Sequence, residues 1–137
     1  MADQLLGSCG PVQTFKYNAS AKIISAKLYQ RTDGARYIAV EWSANGCFTF
    51  HEKECPGPGY SCDLTVIAKA SWDGQFRRHE YRYPGTSIQA GSANLIVSSL
   101  SPPLSYTVEV TTQAKCYCAS AVPILTEEAT CSCVTTP

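Results

Sequence analysis

An all-β domain, an antiparallel β-sandwich stabilised by disulfides, is the fold class this sequence predicts, and three observations predict it. No window sustains a helical period, whereas short runs rich in Val, Ile, Thr and Tyr alternate apolar with polar residues. Turn formers separate those runs at Asp33-Gly34, Asn45-Gly46, Pro56-Gly57-Pro58-Gly59, Asp73-Gly74, Pro84-Gly85 and Pro102-Pro103, where Gly, Asn and Asp supply the backbone angles that a reversal needs. Residues 95–110 read as strand, sharp corner, strand: Pro102 and Pro103 cannot donate to a ladder, and Tyr106 falls just after them. Seven to nine short strands in one domain are best buried as two packed sheets.

From the N-terminus, the expected strands are residues 13–17, 23–30, 35–43, 47–52, 62–70, 75–83, 93–98, 106–114 and 121–126. Along residues 37–42, Ile38, Val40 and Trp42 face one side and Tyr37, Ala39 and Glu41 the other, which makes Trp42 a core residue. Leu64, Val66 and Ala68 repeat the arrangement, and Tyr106, Val108 and Val110 do so again; Val97 and Leu100 are expected on the same buried face. Asn45-Gly46 reads as a tight turn. No internal repeat or low-complexity linker is present, so residues 11–130 read as one domain, residues 1–10 as an N-terminal extension and residues 131–137 as a cysteine-containing tail.

Length and charge narrow the class. A chain of 137 residues is one domain by length, and a net charge of zero with a pI near 6.7 lacks the basic excess that nucleic acid or an anionic membrane selects. No apolar run approaches the roughly 20 residues of a membrane span, so no membrane insertion is expected. Eight cysteines suit an oxidising compartment, and the expectation is a secreted or cell-surface protein whose leader has been removed.

Leu100-x-Pro102-x-x-x-Tyr106, followed by Val108 and Val110, resembles the E-to-F corner of fibronectin type III domains, a family of seven-stranded immunoglobulin-like sandwiches. Trp42, closing an alternating strand, resembles that family's strand B, and Tyr60 with Leu64-x-Val66 its strand C. The resemblance covers residues 11–130 and implies an atypical, cysteine-rich member, since most domains of the family fold without disulfides. It also implies a Tyr106 buried at the end of the core, with its hydroxyl bonded back to main chain near residues 100–103. The Trp-Ser-x-Trp-Ser signature of cytokine receptors is missing, so receptor function is not carried over.

All eight cysteines, Cys9, Cys47, Cys55, Cys62, Cys116, Cys118, Cys131 and Cys133, are read as disulfide partners. Cys55 and Cys62 enclose a Pro/Gly-rich loop that a bridge between them would pin, and Cys47 competes for either. Cys116-x-Cys118 and Cys131-x-Cys133 each present two thiols on one strand face. Opposed, they would form two cross-linked rungs or a four-thiolate metal site; one-residue spacing is tighter than the usual structural-zinc spacing of about two to four, so no metal or other cofactor is assigned. Cys9 is left to tie down the N-terminal extension.

His51 and His79 are the only histidines, and neither sits in a ligand or nucleophile pattern, so the chain is not read as an enzyme. The surface feature that stands out is residues 75–83, where Arg77, His79, Tyr81 and Tyr83 alternate to one face. Tyr and Arg are enriched at interfaces, which makes this face a candidate binding patch. Asn18-Ala19-Ser20 is an N-glycosylation acceptor pattern. The expected function is therefore a non-enzymatic extracellular binding or adhesion module recognising a protein or glycan. The alternative is a structural subunit of an extracellular polymer or coat, a homo-oligomer assembled by strand exchange and disulfides.

Overall fold

The computed structural model describes residues 2–48, 60–118 and 123–137; of Tyr60 only the backbone is described. Among the described residues, nine strands run in chain order: β1 (Gln4–Cys9), β2 (Val12–Phe15), β3 (Ala19–Gln30), β4 (Arg36–Gly46), β5 (Tyr60–Trp72), β6 (Gln75–Tyr83), β7 (Ile88–Ile96), β8 (Tyr106–Cys118) and β9 (Leu125–Thr135). All pairings are antiparallel and make two sheets. One has the order β1-β3-β4-β7, with β2 also on β3; the other has the order β6-β5-β8-β9.

β1 and β2 occupy one edge of β3 in succession, Cys9 opposite Ala26 and Val12 opposite Ile23. Gly10, at φ +98°, and Pro11 make the break between them, because glycine tolerates positive φ and proline cannot donate to the ladder. The segments expected as extensions are thus strands of the two sheets. Their alternation is faint in the sequence, since past Leu125 β9 turns mainly small residues inward, Ala129, Cys131 and Thr135 among them.

The core forms where the inner faces meet. Ile38, Val40 and Trp42 of β4 are buried, as are Leu64, Val66 and Ala68 of β5 and Val108 and Val110 of β8. Complementary sizes make the fit: Trp42 lies opposite Gly91 in the β4–β7 register. A Cβ at Gly91 would stand 2.5 Å from the indole Cζ2, so no larger residue fits without displacing the ring. Trp72 and Tyr106 pack at a ring separation of 5.9 Å, filling a second part of the core.

The corner between β7 and β8 buries Val97, Pro103 and Tyr106. Two expectations for it are corrected. Leu100 is fully exposed and so is no part of the buried face; Pro102 is exposed as well, because the chain has left the sheet and its side chains no longer alternate. The Tyr106 hydroxyl accepts a hydrogen bond from the Arg36 side chain, Nη1 at 3.3 Å, in place of the expected bond to main chain near residues 100–103. Asn45-Gly46 is also not a turn. It ends β4, pairing with Ser20 and Ala19, and a Cβ on Gly46 would meet Leu64 Cδ2 and Ala114 Cβ at 2.6 Å. Of the strand expected at 47–52, Cys47 and Phe48 come after β4 outside any strand, and the rest lies outside the described residues.

Candidate functional site

Among the described residues β6 is an edge of its sheet, paired to β5 alone, and it carries Arg77, His79, Tyr81 and Tyr83 on one face as the alternation requires. That face looks inward. Tyr81 and Tyr83 lie opposite Val66 and Leu64 and pack on Trp42, each ring centroid 6.0 Å from the indole. Burial raises the Tyr83 phenol above its ordinary value, with Tyr81 adding to the effect. The two tyrosines therefore close the sandwich over Trp42 and leave Arg77 and His79 as the exposed members of the expected patch. Arg77 Nε donates to the Ile96 carbonyl at 3.3 Å, tying this edge to the other sheet.

The opposite face of β6 is charged but internally matched. Glu80 accepts from Arg82 Nε at 3.0 Å and from Arg78 Nη2 at 3.1 Å. Those two bonds, Arg82's first, hold the Glu80 carboxyl below its usual range. Lys69 Nζ stands 5.1 Å from the centre of the Phe76 ring, a cation–π contact.

Three exposed apolar side chains lie near the β5–β6 turn and the β7–β8 corner. Asp73 and Gln75, at the β5–β6 turn, line both a hollow with Phe76 and Ser105 and a neighbouring hollow with Leu100 and Ser101. Leu104, next to Ser105, is 91% exposed, Phe76 is 62% exposed, and Leu100 is fully so. Sequence reasoning missed this cluster. The available signal was the pair of leucines flanking Ser101-Pro102-Pro103, where proline stiffens the chain and no strand exists to turn a side chain inward.

The cysteines divide into bonded and free. Cys9–Cys133 joins β1 to β9 and Cys47–Cys116 joins the end of β4 to β8, so both bridges link one sheet to the other. Cys118 is also disulfide-bonded. Cys62 and Cys131 are buried free thiols, which corrects the reading of all eight as partners and excludes a Cys55–Cys62 bridge. The two Cys-x-Cys pairs are not opposed: Cys131 and Cys133 lie across from Val110 and Val108, so neither cross-linked rungs nor a four-thiolate site arises from them. Register along the β8–β9 ladder separates them, a quantity that spacing within each strand does not contain. What the fold does gather is Cys47, Cys62 and Cys116, whose sulfur atoms all lie within 4.8 Å of one another.

Asn18 is 1% exposed. Its backbone N–H donates to Glu127 Oε1 at 2.5 Å and its carbonyl accepts from Cys47 N–H at 2.9 Å, so the expected acceptor is buried in the folded chain. His51 and Cys55 lie outside the described residues. No described helix is long and apolar enough to cross a membrane. The chain matches no protein-family model, no curated protein and no solved structure.

Proposed function

We propose that this chain is a fibronectin type III-like sandwich acting as a non-enzymatic extracellular binding or adhesion module. Strand order supports the family reading. If Trp42 marks strand B, Leu64-x-Val66 strand C and the proline corner the E-to-F connection, then B pairs with E as β4–β7, and C, F and G run side by side as β5-β8-β9, the partition of immunoglobulin-like sandwiches. Two disulfides between the sheets support an oxidising, extracellular setting.

The observation that carries the binding reading is the exposure of Leu100, Leu104 and Phe76 together at one end of a doubly cross-linked frame. Apolar side chains held on a stiff support lose little conformational freedom when a partner covers them, and a grouping of them marks a contact surface. Their chemistry favours a protein over an anionic glycan, since all three are apolar, and Arg78 and Arg82 on the outer face of β6 are already engaged by Glu80. The polymer alternative needs thiols free to bridge chains. Cys9 and Cys133 bond to each other, and the free thiols among the described residues are buried.

The test is saturable binding of the labelled full chain to cell-surface and secreted proteins of its source, compared with a Leu100→Ser/Leu104→Ser/Phe76→Ser variant. Protease-sensitive binding weakened about tenfold or more in the variant, roughly 1.4 kcal/mol, with an unchanged melting temperature, is the expected result. Binding that the variant retains in full would remove this end as the contact surface, and heparin competition in place of protease sensitivity would assign a glycan partner.

A further inference from the structure

Cys62 has no role in binding, yet it is a nucleophile placed beside a disulfide, and its chemistry is independent of the proposed function. We propose that Cys62 and the Cys47–Cys116 disulfide form a thiol–disulfide exchange switch, in which the bridge moves from between the sheets to within one sheet as Cys62–Cys116. The three sulfurs are already mutually within 4.8 Å. Cys62 and Cys116 are direct partners in the β5–β8 register. Directly opposed residues of antiparallel strands have Cα atoms about 4.5–5.5 Å apart, inside the roughly 4.4–6.8 Å that a disulfide spans.

The step balances without any added oxidant or reductant. Cys62 Sγ, as thiolate, attacks Cys116 Sγ; the Cys62–Cys116 bond forms, the Cys47–Cys116 bond breaks, and Cys47 leaves as a thiolate that takes up the proton Cys62 gave away. One disulfide and one thiol are present before the step, and one of each after it.

Its consequence is mechanical. In the bridge's starting position, Cys47 bolts the end of β4 to β8 across the core. After exchange the Cys62–Cys116 bond lies wholly within the β6-β5-β8-β9 sheet. The end of β4 is then held by backbone hydrogen bonds such as Gly46 N–H to the Ser87 carbonyl at 2.8 Å and Cys47 N–H to the Asn18 carbonyl at 2.9 Å. Burial keeps Cys62 protonated, with Asp63 adding to the effect, so the bridge rests as Cys47–Cys116 until local opening admits water.

Disulfide mapping tests the switch. The oxidised full chain is held in mildly alkaline buffer, quenched with acid at intervals, alkylated in denaturant, digested and read by mass spectrometry. A Cys62–Cys116 peptide should grow in while alkylation moves from Cys62 to Cys47 and total free thiol stays constant. A Cys47→Ser variant, air-oxidised, should carry the Cys62–Cys116 bond and one fewer alkylated thiol than wild type; Cys62→Ser should hold Cys47–Cys116 unchanged throughout. Persistence of Cys47–Cys116 alone in the wild type, or a Cys47–Cys62 bond in place of Cys62–Cys116, would overturn the proposal. The wild-type time course decides the matter even if Cys47→Ser fails to fold.

Discussion

The two disulfides between the sheets do the same mechanical work in different chemical company. Each has a third cysteine nearby in the fold: Cys131 is two residues from Cys133 on β9, and Cys62 is across the ladder from Cys116. Only the second triad gathers its sulfurs, within 4.8 Å of one another. Residues i and i+2 on a strand share a face but are spread along it, whereas directly opposed residues of neighbouring strands are brought to contact distance. Proximity in sequence thus produced a bystander thiol beside Cys9–Cys133, and proximity in register produced one placed for exchange beside Cys47–Cys116.

Removing each bridge is the largest perturbation that probes this difference. The bridges span 124 and 69 residues, and loop-closure entropy gives about 4–5 kcal/mol for either as an upper bound, since the remaining cross-links, that of Cys118 included, still restrict the unfolded chain. Chemical denaturation of Cys9→Ala/Cys133→Ala and Cys47→Ala/Cys116→Ala should show comparable losses. Single variants should then separate them: thiol titration of Cys9→Ala is expected to find one more free thiol than wild type, and of Cys47→Ala one fewer.

Glycines beside the two bridges sharpen the comparison at smaller cost. A Cβ on Gly7 runs into the Thr136 carbonyl, whereas a Cβ on Gly46 meets Leu64, Ala114 and, at 3.2 Å, Cys62 Sγ. Overpacking costs about 1–3 kcal/mol. Gly7→Ala should fall at the upper end, because the added Cβ runs into backbone, the Thr136 carbonyl, beside the buried Thr135, and Gly46→Ala at the lower end, because it meets only side-chain atoms of Leu64, Ala114 and Cys62. Equal losses in thermal melts would show the two ends of the frame to be equally rigid.

The free thiols predict an alkaline signature. Burial, with Asp63 second, pushes the Cys62 thiol from its ordinary 9.0 up to about 12. Below about pH 9 the thiol is protonated in both folded and unfolded chains, and its contribution to stability is complete. As pH rises further the unfolded chain ionises first, so stability falls until the folded value near 12 is passed. Freshly prepared Cys62→Ala should therefore lose less melting temperature than wild type between pH 8 and 10. Cys131 is shifted in the same direction by burial, opposed by backbone contacts. The smallest effect is expected at Glu80, whose partners Arg78 and Arg82 are solvent-exposed. Glu80→Gln should leave the melting temperature unchanged at physiological salt, where exposed ion pairs are screened.

Much of the sheet structure was legible because alternation reports which face of a strand is buried. β6 has the bounds read for it, and Trp42, Leu64, Val66, Tyr106, Val108 and Val110 are in the core, as their alternation requires. β1 and the end of β9 were illegible for the same reason, since strands with small or polar inward residues carry little hydropathic contrast. The binding patch expected on β6 was half legible. Arg77, His79, Tyr81 and Tyr83 do share a face, but alternation does not say which face an edge strand turns to the core.

By itself, the sequence determined the all-β class, the places where strands break and the residues able to fill a core, because these depend on period and turn chemistry within a few residues. Only the tertiary structure decided which cysteines meet, that Trp42 is covered by two tyrosines and backed by Gly91, and that Leu100 and Leu104 face solvent. Those outcomes depend on register between strands distant in the chain and on how two sheets stack, and a shift of one residue would exchange every buried side chain for an exposed one.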